Sequence, residues 1–156
     1  MSRRPQQGEI WLADLNPPVG HEQAGPPRPV LVVSGAVMNL APYGLSLVVP
    51  LSSKIKKLPG HVLLPSVQSG LRADSEIMCE HLRSISHERF RTETPFGVVP
   101  DPVLRDVVKQ IGFLLEPRVV PSPRVTAASR PHSPSGTPDS GPPAYNEGGH
   151  TALAGG

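Results

Sequence analysis

The sequence predicts a mainly β domain, a small barrel or sandwich followed by a C-terminal α-helix and a disordered tail. Three observations carry that expectation. Several short apolar or alternating runs lie close together, with Gly, Pro, Asn and Asp turn signals between them. Residues 101–116 instead repeat their apolar side chains at i, i+3/i+4 spacing, the period of one helix face. From Pro117 to Gly156 there are 8 Pro, 6 Gly and 5 Ser among 40 residues, with too few sizeable apolar groups to offset the entropy of ordering that stretch.

The chain of 156 residues therefore divides into residues 1–6, polar and expected to fray, one domain over 7–116, and a disordered tail over 117–156. A sequence pI near 9.0 suggests a polyanion partner, yet the net charge is only +2 and half of it lies in the tail, since residues 1–116 hold 12 Lys+Arg against 11 Asp+Glu. Any anion site must be local. A single cysteine, Cys79, excludes an internal disulfide. With no secretory leader or long apolar span in view, the expectation is a cytoplasmic, soluble protein with no membrane partner.

The elements follow in order. Glu9–Leu15 alternates around Trp11 as a strand and stops at Asn16-Pro17-Pro18. Gly20–Gly35 organises the chain: its first half is a Gly- and Pro-bounded loop, and its second half, Val30–Val33, is an apolar β-branched strand. Arg28 stands at the joint, pushed towards extended geometry by Pro29 and aimed at an anion. After a connection with a helical turn at Ala36–Leu40, Leu45–Leu51 forms another strand, where Pro50 argues for a bulge or an edge. Residues 52–57 make a polar, basic loop. His61–Leu64 is a short strand, Val67–Asp74 a turn, and Glu76–Leu82 a strand that continues through Ser86. Thr94–Val99 is the last strand. Asp101 can cap the helix with Pro102 at its first position, and Val103, Leu104, Val107, Val108, Ile111, Leu114 and Leu115 make one broad apolar face ending at Pro117.

Polar groups gather at the strand ends: His21, Glu22, Gln23 and Arg28 from the first loop, Ser52, Ser53, Lys54 and Lys56 from the second, and Glu80, His81 and Arg83 from the late strand. A small barrel can bring such ends into a composite site. Each group also has a plainer role. Glu22 and Arg28 suit a surface ion pair, Ser52-Ser53 a turn, and Lys54–Lys57 a solvated loop. His21, His61 and His81 lack metal-ligand spacing and Cys79 reads as a core filler, so no metal or cofactor is expected.

Five motifs carry a resemblance. Gly8-Glu9-Ile10-Trp11 with Asp14-Leu15-Asn16-Pro17, Gly20-His21-Glu22-Gln23-Ala24-Gly25, Arg28-Pro29-Val30-Leu31-Val32-Val33, Val49-Pro50-Leu51-Ser52-Ser53-Lys54 and Cys79-Glu80-His81-Leu82-Arg83-Ser84-Ile85 occur in one order over residues 8–116. This region resembles the MazF/PemK/Kid family of bacterial toxin endoribonucleases. The resemblance implies a compact SH3-like (Kid/CcdB-type) barrel with a C-terminal helix, usually a homodimer. It also implies metal-independent, sequence-specific cleavage of single-stranded RNA, restrained by a cognate MazE-like antitoxin, with DNA contacted only through the antitoxin complex.

In such cleavage the ribose 2′-hydroxyl attacks the neighbouring phosphorus, leaving a 2′,3′-cyclic phosphate and a 5′-hydroxyl, so DNA is not cut. By resemblance Arg28 contacts the scissile phosphate, Glu22 is the candidate general base, and Ser52 replaces a usual threonine as a phosphate hydrogen-bonding group. His21, Gln23, Ser53, Lys54, Lys56, Glu80, His81 and Arg83 are the expected RNA-binding residues. Three departures stand out. Gly25-Pro26-Pro27-Arg28 has one residue more than usual, which moves Arg28 by up to about 3.3 Å unless the prolines bulge outwards. Glu80-His81 stands where many members have Asp-Gln, and the tail has no counterpart. Two alternatives stand beside this reading: a module weakened catalytically by the loop insertion and Ser52 that grips an antitoxin or another protein, and a gyrase-poisoning relative with the same barrel.

Overall fold

The computed structural model of the protein describes residues 3–23, 25–117 and Gly141. The tail expectation thus falls outside the described residues except at Pro117 and Gly141. Seven strands form one antiparallel sheet: β1 (Glu9–Ala13), β2 (Arg28–Val32), β3 (Leu45–Ser52), β4 (His61–Leu64), β5 (Ser75–Met78), β6 (Arg83–Ser86) and β7 (Gly97–Val98). The order is β4-β5-β3-β2-β1-β7, with β6 also paired to β3. After β6 the chain returns to β1, where Asp14 donates its amide to Arg89 O at 2.9 Å and Arg91 donates to Leu12 O at 2.8 Å. These bonds curl β1, β2, β3 and β6 into a half-barrel.

The register explains why the middle strands are apolar throughout. Ile10 pairs with Leu31 and Trp11 with Val30, and successive side chains point to opposite faces. One face therefore collects Ile10, Leu31, Val49, Leu51 and Ile77. The other collects Trp11, Val30, Val32, Val48 and Ile85. Trp11 and Phe90 meet at 5.2 Å between ring centroids, tilted by 47°. Helix α3 (Asp101–Leu114) covers the first core with Val107, Val103, Leu104 and Ile111.

Several expectations need correction. Pro50 is not at an edge: it pairs with Val30 in the middle of the sheet. Its missing amide proton is tolerated because the far side of β3 changes partner there, from β6 up to Val48 to β5 from Leu51. The long strand over 76–86 is broken by a 3-10 turn at Cys79–His81, which carries the chain between those two stretches of β3. The turn at 67–74 contains a short helix, α2 (Ser66–Ser69), and the helical turn after β2 is α1 (Ala36–Asn39). The strand expected at 94–99 shrinks to β7, where Gly97 passes Ser69 O so closely that an added Cβ would lie 2.2 Å from it. Pro100, not Asp101, caps α3. Its apolar face is also narrower than the spacing suggests, because Val108, Leu114 and Leu115 are exposed.

Residues 3–6, for which composition suggests fraying, are bonded to the domain. Glu9, buried, accepts from Arg3 at 2.5 Å, the Gln6 amide at 2.8 Å and Trp11 Nε1 at 3.1 Å, and Arg4 reaches the carbonyls of Leu40 and Ala41.

Candidate RNA-binding and catalytic site

The loop between β1 and β2 is closed at its base by Asn16, whose Nδ2 donates to Gly25 O at 2.6 Å and to Asp14 Oδ1 at 3.0 Å. Asp14 in turn holds Arg91 at 2.9 Å, and that guanidinium keeps its carboxyl below the usual carboxylate range. Within the loop, Glu22 accepts the Val19 amide on Oε2 at 3.0 Å while its own amide donates to Val19 O at 3.1 Å. Gly25 adopts a φ of +108°, a conformation that favours glycine. Pro26 and Pro27 are both exposed, and Arg28 begins β2 opposite Ala13. The ladder sets the position of Arg28.

Arg28 donates from one guanidinium nitrogen to Gln23 Oε1 at 2.5 Å. It lines a groove of about 980 Å³ together with Lys54, Lys56 and Arg72, and among the described residues the groove's lining also holds Ser52 and Ser53 but no carboxylate. Four cations around one concavity favour a polyanion. A smaller hollow of about 360 Å³ is lined by Glu22, Glu80, His81 and Arg83. Gln23 lines both. Its Nε2 lies 3.3 Å from His81 Nε2.

The basic loop after β3 is anchored through its backbone. Ser52 Oγ accepts the Lys54 amide at 3.1 Å. Glu76, on β5 and 3 % exposed, accepts the Lys56 and Lys57 amides at 2.8 and 2.6 Å. Those two bonds straddle the turn, where Lys57 takes a φ of +52°. Glu76 also faces His61 at 2.9 Å, and His61 reaches Glu80 at 2.7 Å through its other ring nitrogen. The Lys56 amide and the His61 contact hold the Glu76 carboxyl below its ordinary range. Burial pulls His61 down, but its hydrogen bonds to Glu76 and Glu80 and their charge outweigh burial and raise its pKa.

The structure thus gathers Arg28, Ser52, Ser53, Lys54 and Lys56 on one groove with Gln23, and places Glu22, Glu80, His81 and Arg83 on the adjoining hollow. Arg83 is tied down by donating to Leu15 O at 3.2 Å. His21 is exposed and lines neither. Sequence reasoning missed Arg72, concealed in an apparent turn, and Glu76 and His61, whose pairing depends on the β4–β5 register that sets Leu63 opposite Glu76. Cys79 is buried, and burial with the nearby Glu80 charge pushes its thiol up to about 11, fitting a core filler. Among the described residues no helix is long and apolar enough to cross a membrane.

Comparison with known proteins agrees with this geometry. The PemK-like, MazF-like toxin of type II toxin-antitoxin system family matches residues 6–115. Endoribonuclease EndoA of Bacillus subtilis is 35 % identical over 85 residues, 54 % of this chain and 72 % of that protein. The crystal structure of MazF from Deinococcus radiodurans superposes with a TM-score of 0.64 at 31 % identity, covering 72 % of this chain and 97 % of the other. A MazE–MazF structure from the same organism gives 0.59 at 27 % identity, covering 73 % and 97 %. Motif order, half-barrel with terminal helix and matched span converge, and the chain belongs to the PemK/MazF family of toxins of type II toxin-antitoxin systems.

Proposed function

We propose that the protein is the toxin of a type II pair, a metal-independent, sequence-specific endoribonuclease that cleaves single-stranded RNA and so inhibits translation. The observation that carries this reading is the groove in which Arg28, Lys54, Lys56 and Arg72 surround Ser52 with no carboxylate among the described residues of the lining. A phosphodiester backbone suits that field. In the reaction the 2′-oxygen bonds to phosphorus as the bond from phosphorus to the 5′-oxygen breaks. The 2′-hydroxyl proton passes to a base, for which Glu22 is the candidate, and the departing 5′-oxygen takes up a proton.

Arg28 neutralises charge growing on the phosphoryl oxygens, to which its planar fork of donors is matched. Ser52 adds a hydroxyl, and Gln23, Ser53, Lys54, Lys56, Glu80, His81 and Arg83 hold flanking nucleotides, with His21 reaching them from the exposed loop. The partners are a MazE-like antitoxin and a second copy of the chain. MazE is seen with MazF in the Deinococcus complex, and the exposed Val108 and Leu114 of α3, with Leu115 just past its end, offer apolar area for an interface.

The test is incubation of the full chain with a mixed single-stranded RNA pool in a metal chelator, followed by analysis of the ends. Fragments bearing 2′,3′-cyclic phosphate and 5′-hydroxyl groups are expected. Intact RNA, or other end groups, would sink the proposal.

A further inference from the structure

His61 occupies a place that its neighbours make unusual. Its side chain is 4 % exposed and lies between two carboxylates, with Nδ1 2.9 Å from Glu76 Oε2 and Nε2 2.7 Å from Glu80 Oε1. Glu76 already accepts two backbone amides, so it is an ionised, acceptor-only partner, and Glu80, 40 % exposed, keeps access to water. Each ring nitrogen must then donate, and an imidazole that donates from both nitrogens carries a charge.

The contacts continue in both directions. Through Glu76 the ring holds the Lys56 and Lys57 amides. Through Glu80 it adjoins His81 at 3.7 Å, which meets Gln23 and then Arg28. We propose that His61 is a positioning residue for the RNA groove: an imidazolium clasped by Glu76 and Glu80, it fixes the Ser52–Lys57 loop and the Glu80–His81 turn, the two walls beside Arg28.

This proposal rests on the endoribonuclease reading. The raised pKa of His61 supports the charged form. The charged groups facing the ring are Glu76 from β5 and Glu80 from the turn, with Lys56 on the same groove. Helix α3 packs against both β4 and the turn, but among the described residues it places no charged group in hydrogen-bond or ion-pair contact with His61.

The test compares the wild-type chain with His61→Gln and Glu80→Gln. In H61Q, kcat/KM on a cleaved RNA oligonucleotide falls about tenfold or more, chiefly through KM, because loosened walls bind RNA poorly. A merely structural defect lowers the folded fraction and hence kcat, leaving KM unchanged. In the wild type kcat/KM declines as pH rises through the His61 midpoint; that limb moves to lower pH in E80Q and vanishes in H61Q. Wild-type KM in a folded H61Q overturns the positioning role. If H61Q does not fold, nitrogen-resolved NMR of the wild-type ring decides: two ring N–H groups at pH 7 support the clasp, and a singly protonated ring overturns it. A wild-type protein inert on RNA instead overturns the functional reading beneath it.

Discussion

Strands β2 and β3 carry a polar device at each end, and the two devices use histidine in opposite ways. At the groove end, His61 sits between carboxylates and its pKa is raised. At the other end, buried Asn39 holds Ser34 and Ser46: its Oδ1 accepts from Ser34 Oγ at 2.5 Å and Ser46 Oγ at 2.8 Å, and its Nδ2 donates to Ser34 O at 2.7 Å. Ser46 Oγ also lies 2.9 Å from His87 Nε2. Burial lowers the pKa of this histidine, outweighing a backbone hydrogen bond to Leu45 that opposes it, and the charge of Arg4 adds to the lowering. The groove end gathers ionic groups around a concavity, whereas the far end is a neutral, closed knot that joins α1 to the sheet. Burial works against protonation at both histidines, and only beside the two carboxylates of His61 is it outweighed.

The sharpest way to separate the ends is to remove one residue from each. Arg28→Ala is expected to lower kcat by roughly 10²–10³, the loss typical of one transition-state charge donor, with the thermal midpoint nearly unchanged. Full activity in that variant would break the assignment of the groove. Asn39→Ala is expected to do the reverse, costing about 1–3 kcal/mol of stability by stranding buried hydroxyls. Measured by urea titration, that loss should leave cleavage per folded molecule intact.

The pH dependence gives smaller, opposed effects. A folded pKa above the unfolded value means that the native state binds more protons, so the His61 contribution is complete below about pH 6.5 and is lost as pH rises through the raised folded value. For His87 the folded value is lowered, the unfolded state binds more protons, and its contribution is complete above about pH 6.5 and fades as pH falls. Urea midpoints across pH 5–8 should therefore lose their alkaline decline in H61Q and part of their acid decline in His87→Gln. The same slope in both variants would remove the contrast. Least of all should follow from Pro27→Ala. Both prolines face solvent and Arg28 is placed by the ladder, so cleavage should stay within about twofold; a tenfold loss would show that the loop, not the strand, aims the guanidinium.

Much of this was legible in the sequence for a local reason. β1, β2 and the helix are declared by alternation, by a short β-branched run and by i, i+3/i+4 spacing, and Arg28 and the basic loop lie within contiguous motifs. What escaped is tertiary. The break at Cys79–His81 arises because β5 and β6 pair with different stretches of β3, which no property of residues 76–86 announces. Pro50 reads as an edge residue until the change of partner beside it is known. His61 looks like a stray imidazole because its two carboxylates lie 15 and 19 residues away. The breadth of the helix face was overestimated because spacing marks which side chains are apolar, not how many the sheet can cover.

The two cores on either face of β2 and β3 have a consequence for motion. A strand packed on both sides cannot detach without emptying both cores, so its amides should exchange with deuterium only in near-global opening. Val30, Leu31 and Val32 are fully buried and follow Arg28 in the same strand after Pro29. The guanidinium is thus mounted on the segment that opens last, while the lysines opposite it ride on a loop held by two amide hydrogen bonds to Glu76 and one to Ser52 Oγ. RNA would meet a groove with one rigid jaw and one compliant one, and deuterium uptake on RNA binding should fall in residues 52–57 before it changes anywhere in β2.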